Sequence, residues 1–245
     1  YSNALGGNGG DTVTVVFGSL DAPLAFDSPA PVTLNATPTA MLLQDLDGDG
    51  ADELIITIAG DPGVVLVYLN EGGLFASVPL ELSVGPSPVA LVAGDFTGDG
   101  EIEIASADAV DGTITFFIRD PLGDYPPLGG YESFTYPTDG GGMPVSLAAG
   151  NFLDDGVSDE LAVACAGTDT IEFWQHDAGL RTLNFSLSVF VDLDDTPGGI
   201  DPGQVNEDKD AFVPLAVTLP AAGGVVVLDN DGNGGFPASE TYPAG

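Results

Sequence analysis

The sequence predicts an all-β fold made of repeated units of short strands. Composition points there first. Gly 35 and Pro 19 in 245 residues supply frequent turns, Val, Thr, Ile and Phe are plentiful, and Lys and Arg together number only three. Periodicity agrees, since no segment sustains the 3.6-residue apolar spacing of an amphipathic helix. The third observation is a motif that returns four times: an apolar strand, an acidic Gly-containing loop, and a second apolar strand.

The clearest copy runs Met41-Leu-Leu-Gln-Asp45-Leu-Asp-Gly-Asp-Gly-Ala-Asp-Glu-Leu-Ile-Ile-Thr57. The second is Val89-Ala-Leu-Val-Ala-Gly-Asp95-Phe-Thr-Gly-Asp-Gly-Glu-Ile-Glu-Ile-Ala105. The third is Val145-Ser-Leu-Ala-Ala-Gly-Asn151-Phe-Leu-Asp-Asp-Gly-Val-Ser-Asp-Glu-Leu-Ala-Val163. A worn fourth runs from Gln204 through Asn206, Asp208 and Asp210 to Val217. The loops open at 45, 95, 151 and 206, so the repeat is about 50 to 56 residues long.

A third strand follows in each unit: Gly63–Tyr68, Gly112–Phe117, Thr168–Phe173 and Gly224–Leu228. A turn then leads to a fourth, such as Val78–Val84 or Glu132–Tyr136. Four strands per unit of this length are expected of a β-propeller blade, in which radial repetition keeps sheet edges short. The expectation is a single propeller domain or fragment over 1–245. It has blades at about 38–86, 87–137, 143–192 and 200–245, and an N-terminal half-blade at 11–35. The half-blade's Val13, Val15, Val16, Phe17, Val32 and Leu34 need a partner surface, and the expected one is the strands of 213–243, in this chain or the next subunit.

The loops carry the chemistry. In the first, Asp45, Asp47 and Asp49 alternate, Ala51 offers a backbone carbonyl, and Glu53 closes the loop at its ninth position. Gly48 and Gly50 permit the turns that bring these groups to one point. Carboxylates at alternating positions with one carbonyl form the all-oxygen set that Ca²⁺ prefers, whereas Zn²⁺ lacks nearby His and thiolate ligands. Without a cation, each close carboxylate pair would repel by roughly 1–4 kcal/mol. The second loop offers Asp95, Thr97, Asp99, the Glu101 carbonyl and Glu103. The third offers Asn151, Asp155, the Val157 carbonyl and Asp159, with Leu153 at a ligand position. The fourth has Ala211 in place of the turn Gly and Pro214 in place of the closing carboxylate, so it is expected to bind nothing. Asn70–Phe75 and Asp229–Phe236 are read as hairpin turns.

These residues resemble the FG-GAP and VCBS repeat families, to which the integrin α-subunit propeller belongs. The family pattern, Asp-x-Asp/Asn-Gly-Asp-Gly-x-x-Asp before an apolar strand, is met at 45–54 with Glu53 in last place. It is met with substitutions at 95–104 and 151–161. The later Asn-x-Gly-x-Gly-x-Phe segment looks like Asn70–Phe75 and Asn230–Phe236. The resemblance implies a propeller with Ca²⁺ between the first and second strands of each blade. It does not by itself assign a function.

Charge sets the function classes. There are 38 acidic residues, and the three basic ones are Arg119, Arg181 and Lys209, for a formal net charge of −35. With no cationic footprint, nucleic acid and anionic membranes are excluded as partners. No apolar run approaches a membrane span. Mean hydropathy of +0.24 leaves ample material for a core. Cys165, alone in the apolar run 161–166, reads as a small buried hydrophobe. His176 is the single histidine and no nucleophile elbow is present, so the protein is not expected to be an enzyme. Trp174, Tyr125, Tyr131 and Tyr136 read mainly as blade filling, and the irregular stretch 120–130 as a contact loop. Asn35 and Asn184 head the two glycosylation sequons. The start at Tyr1, with no basic leader, is expected of a trimmed product or a piece of something longer.

The resulting expectation is a secreted or cell-surface, calcium-binding, non-catalytic propeller that mediates adhesion or assembly through other subunits or surface glycans. It could form a homo-oligomer or a surface filament. The alternative is a carbohydrate-binding or carbohydrate-cleaving propeller.

Overall fold

The computed structural model describes residues 12–15, 30–34, 36–71, 73–119, 130–153, 158–176, 185–203, 213–231, 235–236 and 238–243. Four antiparallel sheets of four strands follow one another along the chain. A two-stranded sheet of β1 (Thr12–Val15) and β2 (Ala30–Thr33) precedes them. The first blade is β3 (Pro38–Gln44), β4 (Glu53–Ile58), β5 (Gly63–Tyr68) and β6 (Leu80–Val84). The second is β7 (Pro88–Gly94), β8 (Glu103–Asp108), β9 (Thr113–Arg119) and β10 (Tyr131–Pro137). The third is β11 (Pro144–Gly150), β12 (Glu160–Cys165), β13 (Thr170–His176) and β14 (Phe185–Asp192). The fourth is β15 (Ile200–Pro202), β16 (Leu215–Leu219), β17 (Gly224–Asp229) and β18 (Ala238–Pro243).

Each sheet is an up-and-down meander in sequence order. The opening strands lie side by side, β3 against β7, β7 against β11 and β11 against β15, so the blades radiate from a shared inner line. This is the β-propeller arrangement expected from the repeat. Among the described residues the helical content is one 3-10 turn, Asp139–Gly141, and no helix is long and apolar enough to cross a membrane.

Alternation within the second strands explains why the blades adhere. In β12, Leu161, Val163 and Cys165 join the core shared with the second blade, while Ala162 and Ala164 join the core shared with the fourth. Successive side chains of a strand point to opposite faces, so a strand packed on both sides buries both sets and is largely apolar. β4, β8 and β12 are accordingly buried at every position. In β16 buried and more exposed positions alternate, so one face of the fourth blade is less covered. Aromatic rings fill the wider gaps: Phe116 stacks on Phe185 at 3.8 Å, and Phe173 on Phe236 at 4.5 Å.

The N-terminal sheet departs from expectation. Val13 and Leu34 are buried against Leu54, Ile56, Ile58 and Tyr68 of the first blade, and that core contains none of the described residues of 213–243. The physical reason is the same two-sided rule. The first blade has one face on the second blade, and its other face needs a cover. The short link from β2 to β3 places the sheet there. Val16 and Phe17 lie outside the described residues. Deleting 1–36 is therefore expected to expose that apolar face and to cause aggregation or a lower thermal midpoint, read by light scattering and calorimetry. A monomer of unchanged stability would show that the sheet contributes nothing.

The aromatic residues sort as core. Trp174 is buried, and Tyr131 and Tyr136 pack against the blade cores. Cys165 is fully buried, and burial pushes its thiol up. Tyr125, most of the 120–130 stretch and the sequon residues Asn35 and Asn184 lie outside the described residues.

Candidate metal centre

The first two acidic loops are built alike, and the backbone does the building. In the first, the Asp45 carboxylate accepts the Gly48 N–H at 2.8 Å and the Gly50 N–H at 3.0 Å. Asp47 accepts the Asp49 N–H at 3.1 Å, and Asp49 accepts the Ala51 N–H at 2.8 Å. The second repeats the scheme: Asp95 accepts from Gly98 at 2.8 Å, Asp99 at 3.1 Å and Gly100 at 3.0 Å, and Asp99 accepts from Glu101 at 2.9 Å. These are Asx turns, in which a short acidic side chain folds the backbone around itself. They require left-handed glycines, with φ of +77° and +90° at Gly48 and Gly50, and +73° and +89° at Gly98 and Gly100.

The outcome is convergence. Asp45, Asp47 and Asp49 each bring a carboxylate oxygen into a group spanning no more than 4.8 Å, as do Asp95, Asp99 and Glu103. Oxygens at that mutual distance can share one hard cation of Ca²⁺ size. The donor set therefore fits the ion expected from the sequence.

The closing glutamates have a further role. Glu53 is buried, and its carboxylate accepts the Leu46 N–H at 2.8 Å and the Asn70 N–H at 3.4 Å. It thus anchors the base of the loop and lies outside the converging trio. Glu103, also buried, accepts the Thr97 N–H at 3.1 Å and the Thr97 hydroxyl at 3.3 Å. The expected ligand oxygen of Thr97 is therefore donating to Glu103. Burial pushes both carboxyls above the usual range, Glu103 to about 8, and the neighbouring aspartates add to the effect. A bound cation would favour the ionised forms.

The third loop differs in register. Gln44 pairs with Glu53 and Gly94 with Glu103, but Gly150 pairs with Glu160. Glu160, fully buried, accepts the Phe152 and Leu153 N–H groups at 2.6 and 2.8 Å, so it holds the closing position in place of Asp159. Asp159 points instead to the second blade. Its N–H donates to the Asp95 carbonyl at 2.7 Å, and its carboxylate accepts the Asp95 N–H at 3.1 Å. One added residue in the loop separates the two roles, and adjacent acidic residues in sequence do not reveal it. Asn151 lies at the loop's start, while Asp155 and Val157 fall outside the described residues, as do Asn206, Asp208 and Asp210 of the fourth loop.

The unit that holds both trios has a known pattern. Residues 45–106 match the FG-GAP-like repeat. The match opens on Asp45 and runs through the second loop into β8, so it contains both converging groups. The structure is also similar to a crystal structure of BBS1N in complex with ARL6DN. That similarity covers 95% of this chain and 76% of that chain, at 15% identity and a TM-score of 0.48. No curated protein matches the chain.

Proposed function

We propose that this β-propeller is a non-catalytic, calcium-stabilised module that works outside the cell or on its surface, in adhesion or assembly. The observation that supports it most is the pair of FG-GAP-like loops in successive blades, in each of which three carboxylates converge, the first and fifth loop positions being common to both. Ca²⁺ at these sites would neutralise carboxylates that otherwise repel, and millimolar Ca²⁺ is an extracellular condition. A surface with a net charge of −35 suits a medium where divalent ions screen it. The less covered face of the fourth blade leaves room for another subunit. The test is native mass and particle imaging with Ca²⁺ and with chelator. Ordered oligomers or filaments that dissociate on chelation are expected. A monomer under both conditions would contradict the assembly reading.

A second reading, glycan binding, is favoured by one cavity. A space of about 210 Å³ is lined by Asp139, Thr168, Thr170, Glu172, Phe190 and Asp192. The Phe190 ring is 57% exposed beside Glu172, its register partner on β13. An exposed ring flanked by hydroxyls and carboxylates suits the face and hydroxyls of a sugar. Retention on immobilised glycans, lost in Phe190→Ala, would select this reading.

A further inference from the structure

The strand register marks one equivalent position in every blade. Ile104 pairs with Phe117, and two residues beyond Phe117 stands Arg119. The same count from the pairs Leu54 with Tyr68, Leu161 with Trp174, and Leu215 with Leu228 gives Asn70, His176 and Asn230. Three of these four side chains donate to a backbone carbonyl at or beside an acidic loop.

Arg119 crosses a blade boundary. Its Nη1 donates to the Leu46 carbonyl of the first loop at 3.3 Å and to the Glu101 carboxylate of the second at 2.6 Å. Asn230 does likewise two boundaries later, between the third and fourth blades. Its Nδ2 donates to the Phe152 carbonyl of the third loop at 2.6 Å and to Val213 of its own blade at 3.4 Å. Phe152 is the counterpart of Leu46, because each follows the first loop position and each gives its N–H to the buried closing glutamate. Asn70 belongs to the first blade and turns to its own loop, at the Asp52 carbonyl, 3.0 Å away. At His176 the boundary is closed instead by Asp159 on Asp95.

We infer that Arg119 is a positioning residue that couples the first and second acidic loops, so that a divalent cation bound in one loop tightens binding in the other. The inference rests on the calcium reading above. Leu46 sits between Asp45 and Asp47, with its N–H held by Glu53 and its carbonyl by Arg119. On the far side, Glu101 gives its N–H to Asp99 and its carboxylate to the same guanidinium. Ordering either loop immobilises the guanidinium, and the other loop then orders at lower entropic cost. Among the described residues Arg119 is the one Lys or Arg, and no other described side chain supplies a basic group to the link. The ion pair itself is partly exposed and adds little to stability, so the effect belongs in the coupling rather than in the melting point.

The test is calorimetric Ca²⁺ titration of the full chain in a double-mutant cycle. Asp99→Ala disables the second loop, and the Kd of the first loop is read with Arg119 present and in Arg119→Met. With Arg119, Asp99→Ala is expected to weaken the first loop about fivefold. In Arg119→Met the same change is expected to cost less than about twofold. The charge lost with Asp99 is common to both backgrounds and cancels. Arg119→Lys keeps one charged nitrogen that can donate to both acceptors, as Nη1 does, and is expected to restore part of the coupling lost in Arg119→Met, which separates coupling from misfolding. Equal coupling in all three backgrounds would overturn the proposal. Amide exchange of residues 46–51 without metal tests the clamp by itself. Faster exchange in Arg119→Met is expected, and unchanged exchange overturns it. If the wild type takes up no Ca²⁺, the calcium reading fails and the coupling with it, while the exchange result still judges the clamp.

Discussion

Removing Ca²⁺ with a chelator is expected to lower the thermal midpoint by roughly 10–20 °C. A ligand that binds only the folded state stabilises it by about 2.7 kcal/mol per site at 100 times its Kd. The two converging trios would together contribute about 5 kcal/mol. For a domain of this size each kcal/mol moves the midpoint by about 2–4 °C. The loss is also expected to depend on pH. Glu103 holds its proton up to about 8 in the metal-free fold, well above its ordinary value of 4.5. A carboxyl raised in this way stabilises the fold fully below about 4.5 and loses that contribution as pH climbs through about 8. The chelated protein is therefore expected to melt lower at pH 8.5 than at pH 6, and saturating Ca²⁺ to reduce the difference. Calorimetric scans at the two pH values, with and without Ca²⁺, check both parts.

Phe173→Ala is expected to be the most damaging single core substitution. The ring is fully buried, edge-on to Phe152 at 5.3 Å and stacked on Phe236 at 4.5 Å, where the third and fourth blades meet. Truncating a buried Phe costs about 3–5 kcal/mol, because the transfer energy is lost and a cavity remains. The midpoint should fall by roughly 6–20 °C. Phe190→Ala, at an exposed ring, should change stability by no more than about 0.5 kcal/mol. Thermal denaturation of both variants in Ca²⁺ compares them directly. Equal midpoints would mean that the interface between blades is not where the stability lies.

The blade pattern was legible because two-sided burial writes itself into sequence. Runs such as Leu161–Cys165 are apolar throughout, and the acidic loops between them recur at a near-constant interval. The first two loops were legible for a related reason. Their Asx turns are local, so Asp45 or Asp95 and the following glycines determine the geometry within a few residues.

Features that depend on distant contacts were not legible. The role of Asp159 lies with Asp95, 64 residues away, and the one-residue shift to Glu160 shows only in the pairing with Gly150. Arg119 acts on Leu46, 73 positions earlier. Its place in the repeat emerges only when strand registers are aligned blade by blade. The contact of the N-terminal sheet with the first blade was not foreseen, because Val13 and Leu34 suit any apolar face. Chain proximity to the first blade, not the composition of the partner, decides the outcome.

The most direct test of calcium in the acidic loops is anomalous X-ray scattering from crystals grown in millimolar Ca²⁺. Anomalous density is expected among Asp45, Asp47 and Asp49, and again among Asp95, Asp99 and Glu103, with oxygen ligands at about 2.3–2.6 Å. Well-ordered loops with no anomalous density at either place would contradict it.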